Sequence, residues 1–250
     1  IIDKAKADET YMKAPNGNPT NLNEKQWAQV RTKAYKKWFG DWEFAAKPVN
    51  VVRLMDRIGF KNFKEARGWA KNNIVGIVHN DEVGYVNISG EAISKYLSEK
   101  AVSQSCSTEL HLAALQILPK LIKESIIGEI HTDRDNNTNI RDIVRLYGCL
   151  VVEGKACRVK TTIKRYNDAN VKTKAYSYEV TEIELLDGTL EAHTQSVDSS
   201  STSNNSITAA KLLNNAVNSK GKPITNSSKI VDENGEPKVV WHGGGFGQSE

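Results

Sequence analysis

Between Lys155 and Lys174 the chain carries seven basic residues and one acidic one, a local balance of +6, which exceeds the +4 of all 250 residues. A surface of that sign suits a phosphodiester backbone, whose binding is largely electrostatic. Cleaving RNA without a metal needs more: a base near the 2′-hydroxyl, an acid for the leaving oxygen, and cations for the charge that builds on phosphorus. His131, Glu179 and His111 are the candidates for proton transfer. Arg145, Arg158 and Lys160 are candidates for charge stabilisation, with Tyr178 or Thr162 positioning phosphate and Lys164 and Lys174 extending the cationic set. Tyr147 lies among them, and Tyr176 and Tyr178 offer rings on which bases could stack. His111 stands at the edge of an apolar helix, where a packed or capping histidine is the plainer reading; His131 stands in a polar loop.

The strands that must carry these groups can be put in register. Taking Glu153-Gly154 as a two-residue turn pairs Val152 with Lys155. Counting outward, Leu150 faces Cys157, Leu146 faces Thr161 and Val144 faces Ile163, which makes an apolar side. The other side pairs Cys149 with Arg158, Tyr147 with Lys160, Arg145 with Thr162 and Ile143 with Lys164. One turn thus sorts both strands into an oily and a cationic face, and a one-residue slip would invert them.

Other chemistries find no support. The loop "DRDNNTNI" alternates Asp133, Asp135 and Asn137, but Thr138 and Val144 stand where a calcium loop wants Gly and a bidentate Glu. "HGGGFG" has no following helix to meet a phosphate. Three cysteines, Cys106, Cys149 and Cys157, make neither a metal motif nor an even disulfide set. No metal and no cofactor are expected. No apolar run approaches the roughly 18 residues of a membrane helix, and charges in "IIDKAKADETYMKAP" argue against a signal peptide. No membrane partner is expected, and the setting reads as cytoplasmic with reduced thiols. Without an initiator Met the chain reads as an excerpt.

Four regions separate. Residues 1–47 form a helical connector, with a Pro/Asn/Gly segment and a helix from Glu24 to about Lys37 capped by Thr20 or Asn21. Trp27, Val30, Ala34 and Trp38 fall on one stripe. Trp38, Phe39 and Trp42 read as a structural clasp against a neighbour or against "PKVVW", worth a few kcal/mol at roughly 25 cal/mol per Å². Residues 48–190 hold the periodic apolar signal: an amphipathic helix "FKEARGWAKN", a hairpin turning near Asn80-Asp81, a helix capped by Ser89, a helical stretch split at Pro119, then three strands. Residues 191–229 read as a Ser/Asn-rich linker with a short helix, "ITAAKLLNNAV", and 230–250 as the start of a further segment. The expected class is α+β: helices packed on a small antiparallel sheet, with the helical connector before it and a flexible C-terminal tail after it.

Several of these stretches resemble known families. "NGNPTNLNEKQWAQVRTKAYKKWFGDWE" resembles a module recurring in large polyvalent proteins of phages and conjugative elements, especially of Bacteroides-type bacteria. "SKIVDENGEPKVVWHGG" resembles its usual continuation, which opens an ADP-ribosyltransferase-like domain with a Tyr-His-Gly-Thr motif. Here that motif reads Trp241-His242-Gly243-Gly244, and the resemblance makes His242 the NAD-contacting histidine of a domain that would continue past Glu250. The middle, about 60–190, resembles the third type of large polyvalent protein-associated domain through "AISKYLSEKAVSQS", "HLAALQILPKLIKES", "RLYGCLVVEGKACRVKTTIKR" and "KAYSYEVTEIELL". Its order of helices before a sheet is similar to the barnase, EndoU, colicin and RelE ribonuclease-like fold. Relatives in that wider group carry a Lys-His-Ser step after the first helix and a last-strand His; here Ser98-Glu99-Lys100 and Ser177-Tyr178-Glu179 stand there, with no histidine in either place. The resemblance implies an RNA-directed effector or toxin-like module of a mobile-element polyvalent protein, acting as a metal-independent ribonuclease, with RNA and neighbouring polyprotein domains as partners and delivery into a recipient or host cell. The alternative is a non-catalytic nucleic-acid- or protein-binding module of the same polyprotein. On either reading the middle domain is inserted between two halves of one connector.

Overall fold

Four short helices open the chain: α1 (Ile2–Ala7), α2 (Glu24–Val30), α3 (Lys33–Phe39) and α4 (Trp42–Ala46). The computed structural model describes residues 1–168, 171–184, 206–224 and 231–238, divided into two compact units: Ile1–Lys47 with Thr225–Glu250, and Pro48–Ile224. In the first unit the helix expected to run from Glu24 to about Lys37 breaks in two. Asn23, not Thr20 or Asn21, caps α2 through a reciprocal box with Gln26, and Thr32 caps α3. The break shifts the helical phase. Trp27, Phe39 and Trp42 are buried, while Trp38, placed on the Trp27 stripe by an unbroken helix, is 69% exposed beside Tyr35 and Phe39.

Arg31, in that break, organises the unit. Its guanidinium lies 4.0 Å from the Trp27 ring and 5.0 Å from that of Trp42, and pairs with Glu43 and Glu236. Glu236 is fully buried and also accepts from the Thr20 hydroxyl. It belongs to a hairpin the sequence reading did not recognise, closed by a bridge between Val231 and Pro237. The same hairpin occurs between Lys13 and Pro19 and between Val217 and Pro223. In each, a glycine two residues before the proline has positive φ (Gly17 +85°, Gly221 +72°, Gly235 +77°) and donates to the carbonyl three residues back. The signal was present as three G-x-P steps at matching places in "KAPNGNP", "VNSKGKP" and "VDENGEP".

The second unit is built on β1 (Pro48–Leu54), α5 (Phe63–Asn73), β2 (Gly76–Asn80), β3 (Gly84–Ile88), α6 (Gly90–Tyr96), α7 (Glu99–Ser103), α8 (Thr108–Gln116), α9 (Leu118–Glu124), β4 (Ile126–His131), β5 (Ile140–Val152), β6 (Lys155–Tyr166), β7 (Lys174–Glu182), β8 (Ser206–Thr208) and α10 (Ala209–Leu212). Ser89 caps α6 and Pro119 sits in the first turn of α9, as the sequence indicated. The strand order is β2-β3-β7-β6-β5-β1-β8, with β4 also on β5. The α+β class stands, but the sheet is larger than expected and mixed: β1 runs parallel to β5, and β3 to β7.

The β5–β6 register is the expected one along its length, from Val152↔Lys155 through Tyr147↔Lys160 to Ile143↔Lys164. Glu153 (φ +50°) and Gly154 (φ +76°) make the turn that sets it. One sheet face buries Val144, Leu146, Leu150, Ile163, Tyr178 and Val180 against Tyr96, Leu115, Leu118 and Ile122. The other carries the cations. Residues 206–224, expected as the end of a linker with a short helix, hold that helix as α10 and pack on the sheet. β8 pairs with β1, Leu212 and Leu213 are buried, and the Ser219 N–H and hydroxyl both donate to Glu129. Most of the expected linker start, and the part of the expected flexible tail that carries Trp241 to Gly244, lie outside the described residues, while 231–238 of that tail form the hairpin described above.

Candidate phosphate-binding cleft

Three rows of side chains cross the cationic face, because paired residues in adjacent strands point the same way. The first runs His131, Ile143, Lys164; the second Glu129, Arg145, Thr162, Ser177; the third Tyr147, Lys160, Glu179. Above them α6, α7 and the loop after β4 close a cleft of about 580 Å³. Its lining carries Lys95, Lys100, Arg134, Arg145, Lys160 and Lys164 against Asp133, Asp135 and Glu179, so the surface is net cationic.

Of the residues singled out from sequence, His131, Glu179, Lys160, Arg145, Thr162, Lys164 and Tyr176 line this cleft. Arg145 donates to the Thr162 hydroxyl, and the Lys160 ammonium pairs with Glu179. Burial, and then the charges of Arg145 and Arg158, bring Lys160 down to about 8. The Nδ1 of His131 lies 2.8 Å from the Thr132 carbonyl oxygen. A carbonyl only accepts, so in the neutral ring Nδ1 carries the proton and Nε2 the lone pair. That Nε2 is covered and has no hydrogen-bond partner among the described residues.

Four sequence assignments do not fit the cleft. Tyr178 borders it, but its ring is buried on the opposite face, stacked on His111, and its hydroxyl donates to the His111 carbonyl. Buried there with its hydroxyl already donated, it does not present that hydroxyl to phosphate; burial also holds the phenol well above its ordinary range. Tyr147 is on the cationic face but covered: a Cβ on Gly128 would come within 2.5 Å of its ring, so only glycine lets β4 lie there. Burial and Glu129 raise it to about 12. Arg158 is tied to the carbonyls of Leu212 and Asn214, at 3.4 and 3.0 Å. Lys174 lies outside the cleft lining, 5.6 Å over the Tyr166 ring. His111 is the packed histidine of the plainer reading, bonded to the Ser105 hydroxyl and the Tyr96 carbonyl and lowered by burial to about 4.

The pairing also separates the two expected proton-transfer groups. His131 and Glu179 are three strands and two rows apart, about 20 Å between Cα atoms at usual strand spacing and rise. Neither side chain spans that gap, so they cannot serve one phosphate together. Sequence reasoning missed Lys95 and Gln104, while Ser177, noted beside the place of a last-strand histidine, also lines the cleft. Ser98 and Lys100, noted as the counterparts of a Lys-His-Ser step, do line the cleft.

These rows lie almost wholly within one matched segment. Residues 60–176 match the family model of the Large polyvalent protein-associated domain 3. That is the domain family its motifs resemble, and such a polyvalent protein-associated domain is a module of a larger protein. The matched span contains His131, Arg145, Lys160 and Lys164 and ends at Tyr176; Ser177 and Glu179 follow at once. No curated protein and no solved structure matches the chain. Among the described residues no helix is long and apolar enough to cross a membrane, and no His/Cys/Asp/Glu cluster could hold a metal ion.

Proposed function

We propose that this polyvalent protein-associated domain is an RNA-directed effector module that grips a phosphodiester strand along the cleft. One observation carries the reading: Arg145, Lys160 and Lys164, placed on adjacent rows by the β5–β6 register, line a single concave, cationic surface. A concave groove suits a single strand better than a duplex, whose phosphates lie on a convex surface. The resemblance to metal-independent ribonucleases favours RNA as the strand.

A second reading, cleavage without metal, is favoured by the contact between Lys160 and Glu179. Glu179 would take the 2′-hydroxyl proton as the 2′-oxygen bonds to phosphorus. Lys160 would give its proton to the 5′-oxygen as the P–O5′ bond breaks, and Arg145 would neutralise the phosphorane. The proton returns from Glu179 to Lys160 across their contact, leaving a 2′,3′-cyclic phosphate and a 5′-hydroxyl.

The test is the purified chain with mixed tRNA and mRNA, followed both by binding at several salt concentrations and by detection of 2′,3′-cyclic ends. Salt-sensitive binding is expected, lost with R145A/K164A. Binding without cyclic ends would leave the gripping function and end the cleavage reading. No binding at low salt would end both.

A further inference from the structure

Tyr176 should be a core residue by simple alternation with Tyr178, yet it faces the cleft. The cause is a β-bulge. Thr162 pairs with Ser177 and Ile163 with Ala175, so Tyr176 is the extra residue, turned outward and 39% exposed. Bulges beside functional surfaces re-aim single side chains in this way. Two ammoniums lie over the re-aimed ring: Lys164 of β6 at 4.0 Å from its centroid and Lys95 of α6 at 4.9 Å. Among the described residues neither has a carboxylate partner within 4.0 Å.

We propose that Lys95, Tyr176 and Lys164 form a second phosphate subsite in the cleft, gripping the phosphate next to the one held by Arg145 and Lys160 and doing so without reading the base. The proposal rests on the RNA-directed reading above. The ring's negative face draws both ammoniums in. They then stand no more than about 9 Å apart, where like charges repel. An anion between them relieves that repulsion. A ring already covered by ammoniums is poorly placed to stack on a base, so Tyr176 is a positioning residue. Lys164 is two residues along β6 from Thr162, roughly 7 Å, a length on the scale of one nucleotide of backbone. The ligand class that follows is a polynucleotide held at successive phosphates with little sequence preference.

The experiment compares two probes on the full chain by fluorescence anisotropy: a single-stranded RNA oligomer and an abasic ribose-phosphate oligomer of equal length. Y176L should weaken both by the same factor, on the order of 3–10-fold, and should flatten the salt dependence by about one phosphate, a slope change of about 0.7. Y176F keeps the ring and should bind both like the unsubstituted chain. K95Q/K164Q, which alters only cleft-rim side chains, should reproduce Y176L without any effect on folding. A loss confined to the base-bearing oligomer would make Tyr176 a stacking platform and overturn the subsite, as would unchanged affinity in Y176L and K95Q/K164Q. Failure of the unsubstituted chain to bind either probe would overturn the RNA-directed reading itself, and the subsite with it.

Discussion

The Arg31 guanidinium meets the Glu236 carboxylate at 3.0 Å, joining residues 205 positions apart with the carboxylate fully buried. A buried pair is costly to break from one side, because Arg31, itself largely buried, then keeps only the more exposed Glu43 as a carboxylate partner. E236A should therefore lower the stability of the first unit by about 3–5 kcal/mol, read as rapid proteolysis within residues 1–47. The double variant R31M/E236L removes both charges and should recover much of that loss. Equal damage from single and double variants would mean that shape, not charge, holds the hairpin.

Lys160 sets one pH dependence. Its pKa is lowered to about 8 against an ordinary value near 10.5, so the charged form, which meets phosphate, fades in the folded domain above about pH 8. RNA affinity should fall between pH 7 and 9, and K160R, which stays charged, should abolish the fall. The same shift means the unfolded chain binds more protons between about 8 and 10.5, so this group makes stability rise with pH in that window.

His111 sets another. Held at about 4 by burial, it is neutral in the fold where an ordinary histidine begins to charge near 6.5. The unfolded chain binds more protons between those values, so stability contributed by neutral His111 is lost as pH falls from 6.5 to 4. Urea midpoints measured across that range should decline in the unsubstituted chain, with a shallower decline in H111Q.

Arg158 distinguishes cleft from scaffold. Because its guanidinium holds the carbonyls of Leu212 and Asn214, R158A should leave RNA affinity within about twofold while hydrogen exchange rises across residues 206–224, as expected when a part-buried charged hydrogen bond of roughly 1.5–3 kcal/mol is removed. An affinity loss matching that of R145A would return Arg158 to the binding surface.

Gly128 tests the packing over Tyr147. G128A places a Cβ within 2.5 Å of that ring and should cost about 1–3 kcal/mol through overpacking. Y147L should relieve it in the double variant; additive losses in thermal unfolding would show that the clash lies elsewhere.

What the sequence determined is local. The Glu153-Gly154 turn and the two-residue alternation around it fix the β5–β6 register, because a slip of one would bury Arg158 and Lys160 among Leu146 and Val144. The same alternation predicts which cations share a face, and a capping serine and a proline mark where α6 starts and where α8 gives way to α9. Tertiary structure decided the rest. β4 reads in sequence as the end of a helix at Ile127 and a polar loop from His131, and only pairing with β5 makes Ile126–His131 a strand. β1 and β8 lie far in sequence from the strands they join, and no turn links them. Whether Arg158 faces ligand or scaffold depends on α10, more than fifty residues later. The bulge that turns Tyr176 outward exists only where β7 meets β6. Turn geometry and side-chain period act over a few residues and leave their mark in composition. Which edges pair, and which charged groups are covered, is settled by burial between distant segments, and no local pattern encodes it.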